Sequence, residues 1–126
     1  MLSERSPIPE TQLAAALIRR ALDDALTPDE RLAKEHLTDT PQGLRVSVSS
    51  GVTAAERTEA VRFLLDTSRS WSESRRAWCD AVGLDPAQLV RHALRHVPLA
   101  VIPRDIRLAR RMGTSVPATT ALREAA

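Results

Sequence analysis

The residues with the clearest capacity for chemistry lie between positions 86 and 96, where glutamine, arginine and histidine recur. On a helix, Gln88, Arg91, His92 and Arg95 would share one broad side, because they are three or four positions apart. Glutamine pairs with adenine and arginine with guanine in the DNA major groove, and both side chains also contact phosphate. The pattern therefore indicates a helix that contacts double-stranded DNA.

Arginines outside this segment extend the predicted contact surface. Arg75 and Arg76 lie near the expected start of the preceding helix, where they would hold the DNA backbone at its flank. Four more arginines share one face of the predicted last helix: Arg104, Arg107, Arg110 and Arg111. Such a face would add phosphate contacts whose strength falls steeply with salt. An ordinary solvated surface is the alternative for this last face.

The segment from about 74 to 96 has the spacing of a helix-turn-helix. This motif needs a small residue in its first helix and, four positions later, a turn residue that tolerates positive φ. Cys79 and Gly83 satisfy that spacing. His92 departs from the motif, because an apolar residue is usual at its place. The register of the second helix therefore stays open, with three alternative packing positions: Val90, Ala93 and Leu94. A plain helical hairpin with a solvated arginine face is the other interpretation.

Catalysis and metal binding are not expected. His92 and His96 share a helix face, but no second pair of Cys, His or carboxylate residues at ligand spacing accompanies them. Cys79 falls on the predicted buried side beside Trp78, where a thiol serves as a small apolar side chain. The sequence contains no glycine-rich phosphate loop and no recognisable Ser-His-Asp set. The chain is therefore predicted to be a non-enzyme with neither cofactor nor metal.

The first half of the chain alternates between helical and extended patterns. Apolar residues at helical spacing predict a first helix from Pro9 to Leu26. The capping pattern of Thr27 and Glu30 predicts a short, charged helix that continues to about Leu37.

A strand-like alternation follows the short charged helix. Leu44, Val46 and Val48 alternate with polar residues, which is the period of a strand. No partner strand is evident, so residues 38–52 are predicted to form a loop or, at most, a wing.

The second half of the chain predicts a series of helices. Thr53 and Glu56 form a capping box that opens a helix to about Ser68. The remaining helices are expected at 75–82, at 86–96 and from Pro103 to a stop at Gly113. The predicted fold class is all-α, a small helical domain of four to six helices containing a helix-turn-helix. Residues 1–113 would form one domain, followed by a flexible tail over 114–126.

Composition and charge limit the classes to which the protein can belong. The chain has 126 residues and a net charge of +2, yet residues 66–126 hold ten basic and six acidic side chains, which favours an acidic partner. A single cysteine excludes an intrachain disulfide and indicates a reducing compartment. No N-terminal signal pattern and no run of the ~20 apolar residues needed to cross a bilayer is present. The protein is therefore expected to be cytoplasmic, with no membrane contact.

Two segments resemble small helix-turn-helix proteins of alphaproteobacterial phages, prophages and gene transfer agents. One is the alanine-rich first helix at residues 16–25, and the other is the Cys-Asp-x-x-Gly-Leu-Asp-Pro turn at residues 79–86. Val82 departs from the family pattern, which usually has alanine before the glycine, and residues 27–52 look like an insertion. The resemblance implies a helix-turn-helix in a phage-related regulator or packaging factor.

Three functions follow from these patterns. The first is DNA binding in the transcriptional regulation of a phage-like gene cluster. The second is DNA recognition by a small terminase subunit during packaging, which would require a ring-shaped homo-oligomer. The third is a protein-binding module that acts on RNA polymerase or on a host defence complex, without affinity for DNA.

Overall fold

The computed structural model describes residues 9–112 of the chain. Those residues form five α-helices, two short 3₁₀ turns and one pair of strands. In chain order the helices and strands are α1 (Pro9–Ala25), β1 (Glu35–Thr40), β2 (Gly43–Val48), α2 (Ala54–Leu65), α3 (Arg69–Val82), α4 (Pro86–His96) and α5 (Arg104–Arg110). The 3₁₀ turns are Asp29–Arg31 and Leu99–Val101. The fold is α+β, so the predicted all-α class is wrong.

The core lies between the helices and is aliphatic. Helix α1 packs against α2 and α3, and α4 packs against the same two helices. The largest fully buried side chains are Val61, Leu64 and Leu65 of α2, Cys79 of α3 and Ile106 of α5. The thiol of Cys79 is thus a core group, and burial raises its pKa, which disfavours the reactive thiolate.

A β-hairpin stands where a short helix and a loop or wing were predicted. Glu35–Thr40 pairs antiparallel with Gly43–Val48, which sets Leu37 opposite Val46. The prediction of a cap at Thr27 is wrong, because only the 3₁₀ turn Asp29–Arg31 follows, with Pro28 at its N-cap and no side-chain cap bond. The Thr27 hydroxyl instead donates to the Asp23 carbonyl (3.0 Å) at the end of α1. Strand β1 has no clear apolar alternation, and its backbone pairing with β2 is what defines it.

The apolar residues of the hairpin lie outside the core. Strand residues two apart point to the same face, so the apolar side chains of both strands share one face of the hairpin. All of them are more than half exposed: Leu37, Leu44, Val46 and Val48. The hairpin therefore projects from the helical body rather than covering it.

The boundaries of the central helices agree only in part with those predicted from the sequence. The predicted capping box is confirmed, because the Thr53 hydroxyl accepts from the Glu56 amide (3.1 Å) and Glu56 Oε1 accepts from the Thr53 amide (2.9 Å). Helix α2 ends at Leu65 instead of Ser68, and α3 begins at Arg69, well before the predicted Arg75. The predicted stop at Gly113 and the tail over 114–126 lie outside the described residues.

Candidate nucleic-acid interface

The turn between α3 and α4 has the geometry that the sequence predicts. Gly83 follows the last residue of α3 with φ 72° and ψ 26°, the left-handed conformation that glycine adopts without strain. Its amide donates to the Asp80 carbonyl (3.2 Å), and the Leu84 amide donates to the Cys79 carbonyl (2.9 Å). These two bonds are those of a Schellman motif, which satisfies the free carbonyls at a helix end. Helix α3 therefore stops sharply at Gly83.

Helix α4 begins three residues later with its own cap. The Asp85 carboxylate accepts from the Ala87 amide (3.0 Å), and Pro86 occupies the first helical position, where no amide hydrogen is needed. Residues 83–85 thus form a three-residue connection, the length found in helix-turn-helix motifs. The entry and exit of this turn are determined by residues within the turn itself.

The two faces of α4 settle the register left open by His92. Leu89 and Ala93 are buried in the helical core, and Val90 and Leu94 pack against it while partly buried, so all three alternative positions take part in packing. His92 points to solvent, and its ring centroid lies 4.4 Å from that of His96 with the rings tilted by 46°. The departure from the motif at His92 therefore leaves the helix packing intact.

The exposed face of α4 carries the predicted DNA contacts together. Gln88, Arg91, His92 and Arg95 are all exposed, and α4 contains no acidic residue. Across residues 9–112, neither Arg91 nor Arg95 forms an ion pair with a carboxylate. Their guanidinium donors are free to bind an external acceptor.

Arg75 does not belong to this face. Because α3 begins at Arg69, Arg75 lies in the middle of the helix and points inward, with only 6% of its surface exposed. Its guanidinium donates to the Phe63 carbonyl (2.9 Å) and the Asp66 carbonyl (3.1 Å). These bonds cover the C-terminal end of α2, where a helix has unpaired carbonyls and favours a positive charge. Arg75 therefore stabilises the fold as a buried cation at the end of α2.

Arg76 is exposed, and both basic and acidic side chains lie close to it. It lines an open cleft of about 400 Å³ between α3 and the start of α4, together with Asp80 and Asp85. Arg75 also lines the cleft, so its two guanidiniums and two carboxylates balance in formal charge. The net charge of the cleft therefore neither favours nor opposes a phosphate near Arg76.

The C-terminal arginines divide into two pairs. Arg110 Nε donates to the Leu65 carbonyl (2.7 Å), a further bond to the C-terminal end of α2, and Arg107 Nε donates to the Ile102 carbonyl (3.1 Å). Both are partly buried, whereas Arg104 and Arg111 are exposed. The predicted continuous basic face of the last helix is thus reduced to its two exposed members.

An ion-pair cluster adjoins the same end of α2. Arg62 Nη1 contacts Asp66 Oδ2 (2.6 Å) and Asp105 Oδ2 (2.9 Å), which ties α2 to α5. Burial alone would raise the pKa of Asp66, but hydrogen bonds from Ser68 and Arg62 outweigh it and hold that pKa below its ordinary value. The hydrogen bond from Arg62 likewise lowers the pKa of Asp105.

This cluster predicts a stability that is lost in acid. Carboxylates with lowered pKa values stabilise the fold above their unfolded pKa of about 3.9, and that contribution disappears as the pH falls through the lower folded value. We expect urea unfolding at pH 7 and at about pH 3 to show a larger acid-induced loss for the wild type than for Asp66→Asn. Equal losses in the two proteins would show that Asp66 does not carry the effect. Asp39→Asn, in the exposed hairpin, is the control and should match the wild type.

Two structural roles were missed by sequence reasoning. The hydrogen bonds of Arg75 and Arg110 to α2 join residues 12 and 45 positions apart in the sequence. No spacing between neighbouring residues could have predicted them. His96 was considered only as a metal ligand, yet it extends the exposed polar face of α4. Its position four residues after His92 was the available signal.

Within the described part of the chain, no three His, Cys, Asp or Glu side chains are grouped as a metal site requires. Every helix in residues 9–112 falls short of the length and apolar character of a membrane span. Comparisons with protein families, with curated proteins and with solved structures find no match for this chain.

Proposed function

We propose that this protein binds double-stranded DNA, with α4 as the recognition helix of a helix-turn-helix. The observation that carries the proposal is the exposed face of α4 after the Schellman turn at Gly83. There Arg91 and Arg95 have no ion-pair partner among residues 9–112, and α4 itself contains no carboxylate. Free arginine forks on an exposed helix are suited to guanine edges and phosphates.

The set of residues that we propose for DNA contact is smaller than the one predicted from the sequence. Gln88, Arg91, His92 and Arg95 form the centre of this set. The candidates for flanking phosphate contacts are the exposed arginines outside α4, namely Arg76, Arg104 and Arg111. Arg75, Arg107 and Arg110 leave the set, because their side chains already donate to backbone carbonyls.

The biological setting that we propose is transcriptional regulation of a phage-like gene cluster. Its support is the resemblance of residues 16–25 and 79–86 to phage-related helix-turn-helix proteins. Light scattering separates this setting from the packaging alternative, because a small terminase subunit assembles into a ring and a simple regulator is a monomer or dimer.

The experiment on DNA binding compares Arg91→Ala with the wild type. A pulldown of fragmented genomic DNA with sequencing supplies a specific site, and fluorescence anisotropy then measures affinity for that site and for a scrambled duplex at several salt concentrations. Arg91→Ala should lose about 1–3 kcal/mol on the specific site, the value of one good bidentate base contact. Affinity for the scrambled duplex should change less, because phosphate contacts supply most of it.

Arg19→Ala is the matched control for this experiment. Arg19 is an exposed arginine on α1, outside the helix-turn-helix, so its removal should leave both affinities within experimental error. Unchanged binding of both duplexes by Arg91→Ala would mean that α4 is not the recognition helix. Absence of binding to any duplex at low salt would replace the DNA proposal with the protein-partner hypothesis.

A further inference from the structure

A cleft on the helical body collects the aromatic residues of the chain. It lies between α1, α2 and α3, has a volume of about 390 Å³ and is lined by Phe63, Trp71 and Trp78. The sequence contains one Phe, two Trp and no Tyr, so every aromatic residue of these types lines this one space. We call it the aromatic cleft. Its volume is within the range of small-molecule sites, about 300–1,000 Å³.

Helical spacing explains how the aromatic cleft forms. Trp71 and Trp78 are seven residues apart on α3 and so project from the same face. Phe63 on α2 is buried and forms the floor, whereas both indoles are only partly buried. The lining residues come from α1, α2 and α3, so the cleft is distinct from the exposed face of α4.

Carboxylates outnumber cations around the aromatic cleft. Asp24, Glu56 and Glu59 line it, and Arg20 is the one basic residue among the lining side chains. Arg20 Nε lies 3.6 Å from Asp24 Oδ2, so that pair largely neutralises itself. Glu56 takes part in the capping box, and within residues 9–112 Glu59 has no ion-pair partner. The cleft therefore combines aromatic surface with a net negative charge.

This combination selects one class of ligand. A cation over an indole ring is attracted by the negative face of the π-system, and nearby carboxylates add to that attraction. An anion would be repelled by Glu56 and Glu59, and a neutral apolar molecule would gain nothing from them. We propose that the aromatic cleft is a binding site for a small organic cation of the alkylammonium class.

Intrinsic fluorescence tests this site directly, because both tryptophans of the chain line it. Choline and benzyltrimethylammonium are titrated against the full chain, with 3,3-dimethyl-1-butanol as the neutral molecule of the same shape as choline. Both cations should give a saturable change in tryptophan emission. The neutral molecule should bind about 2–30-fold more weakly than choline, the range that a cation–π contact supplies.

Two charge variants make the test specific. Glu59→Gln removes an exposed carboxylate of the cleft and should weaken cation binding about threefold, the effect of one unit charge about 6 Å away in water. Glu10→Gln, an exposed residue in the first turn of α1 and outside the cleft, should leave binding unchanged. Circular dichroism confirms that both variants are folded.

Three results would overturn the proposal. One is a cation titration that does not saturate by about 100 mM, roughly the weak limit of measurable affinity. Another is equal binding of choline and its neutral counterpart, which would make the cleft an apolar pocket without charge preference. The third is unchanged binding by Glu59→Gln, which would place the cation away from the cleft.

Discussion

Replacement of Arg75 with alanine should lower the free energy of unfolding by at least about 3 kcal/mol. The Phe63 and Asp66 carbonyls would each lose a charged donor inside the protein, and one such loss costs about 1.5–3 kcal/mol. A domain of this size has about 5–15 kcal/mol in total, so the loss is a large share of its stability. Urea unfolding followed by circular dichroism measures the change.

Two further variants distinguish the structural role of Arg75 from a role in DNA contact. Arg76→Ala removes the neighbouring exposed arginine and should alter stability by less than about 0.5 kcal/mol. Arg75→Lys should recover only part of the loss, because Nη1 of Arg75 donates to both carbonyls while Nη2 donates to Ser72, and the ammonium of a shorter side chain cannot replace both nitrogens. If Arg75→Ala had wild-type stability but weaker DNA binding, Arg75 would contact DNA and would not be a structural residue.

Replacement of Gly83 with valine should cost about 2 kcal/mol of stability. The φ of 72° is unfavourable for any residue with a Cβ and most unfavourable for a β-branched one. No heavy atom outside the immediate neighbours lies within 4 Å of a Cβ built at Gly83, so the cost comes from the backbone and not from a collision. Thermal and urea unfolding report the loss.

Asparagine at position 83 is the matched control for valine. Asparagine adopts the left-handed conformation more readily than other residues with side chains, so Gly83→Asn should lose less than half as much stability. If α4 is the recognition helix, Gly83→Val should also lose DNA affinity under conditions where it remains folded, since the turn orients α4. Equal stability of the two variants would mean that the left-handed turn is not required.

The turn before α4 and the exposed polar face of α4 could be predicted from the sequence, whereas the packing positions on its buried side stayed open. Gly83 adopts the left-handed conformation, Asp85 caps the next helix and Pro86 begins it, all through contacts within about four residues. The capping box at Thr53 is local in the same way. Such features depend on backbone dihedrals and on hydrogen bonds between near neighbours, and residue type alone largely determines both.

The sequence by itself thus determined the turn at Gly83, the caps at Thr53 and Asp85 and the exposed polar surface of α4. The tertiary structure decided where α2 ends and α3 begins, and which arginines are available. Arg75 and Arg110 look like surface cations in the sequence, yet they bind carbonyls of α2 that lie far away along the chain. Strand β1 likewise becomes a strand through its pairing with β2, and the aromatic cleft exists only where three helices meet. The physical reason is common to these cases. A side chain or backbone group binds a partner that folding brings close in space, and the residues next to it in the sequence do not determine that partner.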